Sequence, residues 1–452
     1  MLQVQTLPPS LAGLLWAFRS CFTAPSFRTF TALLAGMVAQ PARRTVCGML
    51  LGAGLAQVWH HSRAHRFFSR VRWDPDQVAL VLLRLVVELL VAPDAPILLA
   101  VDDTLFRRSG RKVALTGWHH DGAAPRPAKG NKRLAWGNNW VVVGVVVTVA
   151  VLRRPVCLPV AATLCPAKGA SKQLLACRLV TRIATTYPQR TVHVVADTWY
   201  AGMDGGPTTH PGTAGRGVPH TVTITSRLRA NAALHAIAQP VPGARGRPRR
   251  IGPRLGNPRH LAATSTWHTA SVHRYGHTTT VELAQHTVLC YGVYRSRAVR
   301  VILLREPDHP TTNGYHLALI TTDLHTPAAD LIERYAARWS IEVAFQDAKQ
   351  HTGVGQARNR THTAVTRTVP FGLTTQTITT LWYLTHGHHP DDITNRRRHA
   401  PWYHTKTEPA YQDMITKLRR TLIATTFSAT NPAQPTPNEI HTLRLAWAQT
   451  AA

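Results

Sequence analysis

Apolar residues recur at helical spacing through roughly the first ninety residues of the chain. The clearest segments are SLAGLLWAF, FTALLAGMVA and QVALVLLRLVVELL, in which apolar side chains return at intervals of about three or four positions. Such spacing places these side chains along one face of an α-helix. The two prolines of PDAP (93–96) then interrupt the pattern. The sequence therefore predicts a helical region over residues 1–92.

Short, nearly continuous apolar runs replace the helical spacing from residue 97 onwards. The segments ILLAVDDT (97–104), WVVVGVVVTVAVL (140–152) and TVHVVADTWY (191–200) predict buried strands. Helical spacing returns between the last two, in SKQLLACRLVTRIATTY (171–187). Strands and a helix in this order are typical of an α/β fold. We therefore predict that residues 93–200 form the first part of an α/β core.

Residues 201–314 break this rhythm of strands and helices. Strand-like segments such as HTVTIT and HTVLCYGVY flank the tract PVPGARGRPRRIGPRLGNPRH (240–260), which is rich in Pro, Gly and Arg. The composition of that tract predicts a basic loop without a packed core of its own. The sequence therefore predicts a β-rich insertion that carries a basic loop.

Buried-strand character returns in YHLALITTD (315–323), and a helical pattern follows it. We predict that residues 315–387 contain the second part of the core. The remainder, residues 388–452, is polar and contains one clear helical pattern, AYQDMITKLRRTLIATT. It is predicted to be a helical tail.

The charge of the chain indicates a polyanionic partner. It carries 52 Lys and Arg residues against 22 Asp and Glu residues, which gives a formal net charge of +30 at pH 7. Such a chain repels itself unless a polyanion neutralises it, and nucleic acid is the commonest candidate. No apolar run reaches the roughly 18 residues that a membrane span requires, and no secretion signal is evident at the N-terminus. We therefore expect a cytoplasmic protein that binds nucleic acid and no membrane.

Acidic residues are rare, and three acidic positions stand out because of their placement. Asp102 or Asp103 is predicted to end the first strand, and Asp197 to end another. Glu342 belongs to the helix that follows a further strand. Sites in open α/β sheets form outside the carboxyl ends of the strands, where these side chains could converge. Converging carboxylates repel one another, so the pattern predicts a pair of hard divalent cations, Mg²⁺ or Mn²⁺.

The segment YAARWSIEVAFQDAKQ (335–350) predicts a strongly amphipathic helix. On an ideal helix Tyr335, Arg338, Glu342 and Lys349 fall within one stripe of roughly 60°. An acid, two bases and a phenol on one stripe suit a site that binds a charged ligand. The alternative is an exposed helix face with salt bridges along it.

Taken together, these residues resemble the DDE transposases of bacterial insertion sequences. The resemblance is to the group whose third acid lies in the signature Y-x-x-R-x-x-x-E-x-x-x-x-x-x-K, matched by Tyr335, Arg338, Glu342 and Lys349. LAVDDT resembles the strand of the first acid, and VVADTWY that of the second. The resemblance implies an RNase H-like catalytic core with a β-rich insertion, between a helical DNA-binding region and a helical tail.

The family resemblance also implies roles for the site residues. Asp102 or Asp103, together with Asp197 and Glu342, would bind two Mg²⁺ ions. Adjacent residues of a strand point to opposite faces, so only one of the two neighbouring aspartates is expected to bind metal. Asp102 matches the family pattern D-x-T, whereas alignment on the preceding apolar run favours Asp103.

The partner implied is double-stranded DNA, both the inverted-repeat ends of a transposon and the target, bound by a homodimer. Tyr335, Arg338 and Lys349 would contact phosphates near the scissile bond. Arginines of the basic tract would contact the duplex, and these are Arg245, Arg247, Arg249 and Arg250. Two other functions remain open: a DNA-binding derivative without catalytic activity, and a metal-dependent nuclease of the same fold.

Overall fold

The structure, a computed structural model, describes residues 7–110, 112–122, 124, 133–204, 218–219, 221–239, 249–430 and 441. Helices predominate before residue 92, as predicted. Thr23 and Thr45 cap two of them, since each hydroxyl accepts a backbone N–H three residues further on. The helices of this region are α1 (Pro9–Trp16), α2 (Ala24–Ala39), α3 (Val46–Gly52), α4 (His61–Ser69) and α5 (Pro75–Leu90).

The strands that follow form the centre of one mixed sheet, and a helix crosses between two of them. β1 pairs antiparallel with β3 and parallel with β5, and β5 pairs parallel with β6. The elements are β1 (Ile97–Arg107), β2 (Gly117–His120), β3 (Leu134–Val147), β4 (Val156–Cys165), α6 (Lys172–Thr186), β5 (Val192–Ala196) and β6 (Val222–Arg227). With the helices on its two faces, this sheet confirms the α/β, RNase H-like fold class.

The strands of the predicted insertion extend the same sheet. β12 pairs antiparallel with both β6 and β11, so the core sheet continues into the later strands without a break. The domain boundaries at 201 and 314 stay predictions. The elements are β7 (Leu234–Ile237), β8 (Ile251–Gly256), α7 (Pro258–Thr264), β9 (His268–Arg274), β10 (His277–Leu289), α8 (Tyr291–Tyr294), β11 (Ala298–Arg305) and β12 (Leu317–Thr321).

The described residues after the sheet are mainly helical. Among the described helices, none is long and apolar enough to cross a bilayer. The helices are α9 (Ala328–Ala337), α10 (Ser340–His351), α11 (His362–Trp382), α12 (Asp392–His399) and α13 (Tyr411–Thr430).

The prediction of one continuous helix through Tyr335 and Lys349 is wrong. α9 ends at Ala337, and the N–H groups of Arg338 and Trp339 bond to carbonyls only three residues back. The two helices cover different parts of the sheet, which explains the break. α9 packs on β9 and β10, whereas α10 packs on β1 and β4. A straight helix could not follow both surfaces.

Alternating side chains of β1 face two different cores. Leu99 and Val101 pack in the cluster that contains α6 and the N-terminal helices. Ala100 and Phe106 pack with α10 on the other face of the sheet. The face on which a β1 side chain lies therefore decides which helix it meets.

Candidate active site

The first acidic pair lies within β1. The strand was predicted to end at these acids, but it continues to Arg107, so that prediction is wrong. Backbone pairing with β3 explains the extension, because Asp102 and Asp103 lie opposite Val142 and Val141 and the ladder runs on beyond them. Polar side chains interrupt the apolar run without interrupting the strand.

Asp102 shares a face of β1 with Ala100 and Phe106, which is the face covered by α10. Asp197 directly follows β5, as predicted. Val101 pairs with Ala196 in the parallel ladder, so Asp102 and Asp197 are the next residues along two adjacent strands. Adjacent strands lie about 4.8 Å apart. The structure therefore brings these two acids together.

Glu342 joins this pair through Arg338, which lies at the break between α9 and α10. The guanidinium Nη2 donates to Glu342 Oε1 at 2.8 Å, and Nη1 lies 3.4 Å from Asp102 Oδ2. One cation thus links acids from β1 and α10 beside the end of β5. We call Asp102, Asp197, Glu342 and Arg338 the carboxylate cluster.

The electrostatics of the carboxylate cluster show a shortage of positive charge. Burial raises the pKa of Asp102 to about 7, although the backbone N–H of Asp103 and the charge of Arg338 act in the opposite direction. Burial likewise raises the pKa of Asp197, against the N–H of Trp199 and the charge of Arg338. A single guanidinium does not compensate for burying these carboxylates. Further positive charge would be stabilising at this position.

Asp103 faces the opposite side of the sheet and belongs to a separate network. Its Oδ2 accepts from Lys172 Nζ at 2.6 Å and from Asn139 Nδ2 at 3.2 Å. Its Oδ1 accepts from the hydroxyl of Tyr200 at 3.0 Å. These three partners were not predicted from the sequence. Strand alternation indicated that one aspartate would face away, but no sequence signal identified residues so distant as its partners.

Tyr335 and Lys349 lie on opposite sides of the carboxylate cluster. The guanidinium carbon of Arg338 is 5.9 Å from the ring centroid of Tyr335. Lys349 is two helical turns beyond Glu342, and its ammonium is 5.8 Å from the ring of Phe106. Burial lowers the pKa of Lys349, whereas the charge of Asp121 raises it. The predicted stripe is thus divided, with Arg338 directed at acids and Lys349 further along the same face of the sheet.

Comparison with known families supports a specific assignment for this arrangement. A family model described as DDE superfamily endonuclease matches residues 17–288, which is more than half of the chain. The chain belongs to the DDE superfamily endonucleases. The matched range contains Asp102, Asp103 and Asp197, and ends before α9. Membership of the Y-R-E-K group therefore stays a prediction. No curated protein matches the chain.

The donor set of the endonuclease suits a hard divalent cation, because carboxylate oxygens are the ligands that Mg²⁺ and Mn²⁺ prefer. The raised pKa values of Asp102 and Asp197 also fit a position that a cation would stabilise. Within the described residues, no three His, Cys, Asp or Glu side chains are close enough to hold a metal ion together. Glu342 reaches Asp102 only through the guanidinium of Arg338, so direct metal binding by all three acids requires that this side chain move.

The predicted basic contacts of the endonuclease are only partly described. Arg245 and Arg247 lie outside the described residues. Arg249 and Arg250 are exposed immediately before β8. Their contact with DNA stays a prediction.

Proposed function

We propose that this DDE superfamily endonuclease is the transposase of an insertion sequence, which cuts transposon ends and joins them to target DNA. The observation that carries the proposal is the carboxylate cluster. Asp102 of β1 and Asp197 after β5 follow paired residues of adjacent strands there, and Arg338 links Asp102 to Glu342 of α10. The Y-R-E-K spacing supports the transposase assignment within the superfamily.

We assign Asp102, Asp197 and Glu342 as the ligands of two Mg²⁺ or Mn²⁺ ions. When bound, such ions activate an attacking water or hydroxyl and stabilise the leaving oxygen of a phosphodiester. Asp103 is an unsuitable ligand in this arrangement, since Lys172, Asn139 and Tyr200 already use its oxygens. Asp103 instead holds β1 against α6 and the 3-10 helix after Asp197.

Arg338 has two successive roles in this proposal. Before metal binds, its guanidinium offsets the charge of Asp102 and Glu342. A cation held by these acids would supply that positive charge in its place, and the fork of donors on Arg338 would then be available to a DNA phosphate. Tyr335 and Lys349 would contact phosphates on either side of the scissile bond.

The substrate in this proposal is duplex DNA, consisting of the inverted-repeat ends and the target. The net charge of +30 supports it, because counterion release from phosphates favours binding by such a chain. A homodimer in the cytoplasm would hold the two ends of one element.

The test is Glu342→Gln, which keeps the size and hydrogen bonding of the side chain but removes its charge. Binding to a labelled transposon end should survive, and Mg²⁺-dependent cleavage should be lost. Glu88→Gln is the matched control, since Glu88 is an exposed helical glutamate on α5. Cleavage by Glu342→Gln at the control rate would mean that α10 is only a salt-bridged surface.

A second candidate is a nuclease that hydrolyses DNA without strand transfer, and the description of the matching family favours it directly. The same acids would serve both reactions. Incubation of a pre-cleaved transposon end with a supercoiled plasmid separates them. Joined products support the transposase, and cleavage without joining supports the nuclease.

A further inference from the structure

A basic and aromatic surface lies on α12 and the turn that follows it, in the region predicted as the helical tail. Trp402 is 71% exposed, which is unusual for an indole in a folded region. We call the group the α12 surface, and its exposed side chains are Arg397, Arg398, His399, Trp402, Tyr403 and His404.

The α12 surface is held rigidly by the residues beneath it. The ring of Tyr403 lies 5.1 Å from the guanidinium of Arg396 and 5.7 Å from the ammonium of Lys406. Both cations pair with Asp413 of α13, at 3.4 Å and 2.8 Å. Arg397 Nε also donates to the carbonyl of Lys406 at 2.8 Å. Trp402 is therefore presented from a fixed backbone, which lowers the entropy cost of binding to it.

The charge of the α12 surface identifies the chemistry of its partner. Residues 394–407 contain three arginines, a lysine and two histidines but no acid. Within the described part of the chain, no carboxylate pairs with Arg397 or Arg398. A second copy of this chain would bring a like charge of +30 against it, so a polyanion fits better than self-association. Cations beside an exposed aromatic ring suit the phosphates and sugars of nucleic acid.

The chain just after the α12 surface ties it to the turn that follows β3. Glu408, just after it, accepts from the backbone N–H of Arg153 and from Arg154 Nε, at 2.8 Å and 2.7 Å. These arginines belong to the turn after β3. That strand pairs with Asp102 at Val142 and ends five residues later, roughly 17 Å further along. A length of roughly 17 Å corresponds to about five base pairs of duplex, at about 3.4 Å per base pair.

We infer that the α12 surface binds the phosphate backbone of duplex DNA that flanks the cleavage site. Arg398 contacts a phosphate, and the indole of Trp402 packs on the adjoining sugar. The inference rests on the proposed function only in taking DNA as the substrate. It does not depend on the cleavage chemistry.

The test measures binding of the full chain to a fluorescein-labelled random duplex of about 30 base pairs, without divalent ions, over a range of salt concentrations. Removal of one phosphate contact lowers the slope of log affinity against log salt by about 0.9. Arg398→Gln should show this loss. Trp402→Ala should weaken binding several-fold while the slope stays unchanged, because no charge is removed.

Two control variants separate this effect from a general loss of charge or aromatic surface. Arg396→Gln removes the same charge from the same helix, but Arg396 pairs with Asp413, so the slope should not fall. Tyr275→Ala removes an aromatic ring that is 69% exposed in the β9–β10 turn, and should not weaken binding. Thermal melts confirm that each variant is folded.

A wild-type salt slope in folded Arg398→Gln overturns the inference. The inference is also overturned if Arg398→Gln or Trp402→Ala changes the oligomeric state, measured by sedimentation, while DNA binding is unaltered. The surface would then be a protein interface. Because no metal is present, the result is independent of the Glu342→Gln test. DNA binding through α12 can hold even if the transposase proposal fails.

Discussion

Asp102 and Asp103 are consecutive on β1, yet their carboxylates lie on opposite faces of the sheet and contact different helices. Asp102 lies 3.4 Å from Arg338, at the break between α9 and α10, whereas Asp103 accepts from Lys172 of α6 at 2.6 Å. The D-D-T sequence therefore combines two functions in adjacent residues. We propose that Asp102 serves the chemistry and that Asp103 fixes the strand that carries it.

Asp102→Asn should stabilise the metal-free protein at high pH. Burial raises the pKa of Asp102 from 3.8 to about 7, so the folded state binds the proton more tightly than the unfolded state. Stability is therefore lost as the pH rises between these values, and the cost is complete above about 7. Asparagine cannot ionise, so the variant should gain at most on the order of 4 kcal/mol near pH 8. It should gain little near pH 4.

Chemical denaturation of wild type and Asp102→Asn at both pH values measures this difference in the free energy of unfolding. Chelator in the buffer keeps divalent ions from stabilising the wild-type carboxylates. A difference that is the same at pH 4 and pH 8 would show that Asp102 ionises normally in the folded protein.

Asp103→Asn should destabilise the protein, in contrast to the neighbouring variant. The substitution leaves the ammonium of Lys172 without its carboxylate and disturbs acceptors used by Tyr200 and Asn139. Loss of hydrogen bonds in a partly buried network of this kind costs roughly 1–3 kcal/mol. Urea denaturation measures the loss of stability. The loss should be the same in buffer that contains Mg²⁺ as in buffer that contains chelator.

A double-mutant cycle with Lys172→Met identifies the source of that loss. Because the two side chains interact directly, the double variant should lose less stability than the sum of the single variants. Strict additivity would mean that the Asp103–Lys172 pair contributes nothing. Lys168→Met, in the loop before α6, provides the control outside the network.

Arg338→Ala should increase the affinity of the DNA-free protein for a divalent cation. Its guanidinium bonds to Asp102 and Glu342, which are two of the three proposed ligands, so it competes with the metal for them. Its removal should lower the dissociation constant for Mn²⁺ about tenfold, equivalent to about 1.4 kcal/mol. Electron paramagnetic resonance of free Mn²⁺ measures this directly.

Arg305→Ala is the matched control, because Arg305 of β11 pairs with Glu282 of β10 and not with the acids of the carboxylate cluster. The gain in Mn²⁺ affinity should also disappear when Arg338→Ala is combined with Glu342→Gln. Weaker Mn²⁺ binding by Arg338→Ala would instead show that the guanidinium positions the acids for the metal.

The sequence predicted much of the fold because its strands are apolar on both faces. The continuous run before Asp197 placed that acid directly after β5, as observed. The end of β1 was not predictable from the same signal. Polar residues at 102–104 end the apolar run, but backbone pairing with β3 continues the strand as far as Arg107.

Long-range packing explains the remaining differences. Apolar spacing continues across Arg338, so a single helix was predicted, yet the two halves pack on different parts of the sheet. The parallel pairing of β6 with β5 in the central sheet was not predicted either, while the insertion boundary at residue 201 stays a prediction. Neither feature has a local sequence signal. Both depend on residues that are distant along the chain.

Phe371→Ala tests whether the N-terminal helices form an independent region or depend on the core. Phe371 of α11 is 2% exposed, and its ring contacts Phe30, Phe67 and Phe68 edge-on at 5.3–6.0 Å. Truncation of a buried Phe costs about 3–5 kcal/mol.

We expect hydrogen exchange of α2 and α4 to accelerate in Phe371→Ala, together with a fall in the unfolding midpoint of the whole chain. Phe345→Ala, which truncates a buried ring of α10 in the other core cluster, should lower stability without a selective effect on α2 and α4. Exchange in α2 and α4 that stays at the wild-type rate in Phe371→Ala would contradict this. The first ninety or so residues would then be a separate folding unit, as the boundary near residue 92 predicts, and α11 would serve only as the surface on which that unit rests.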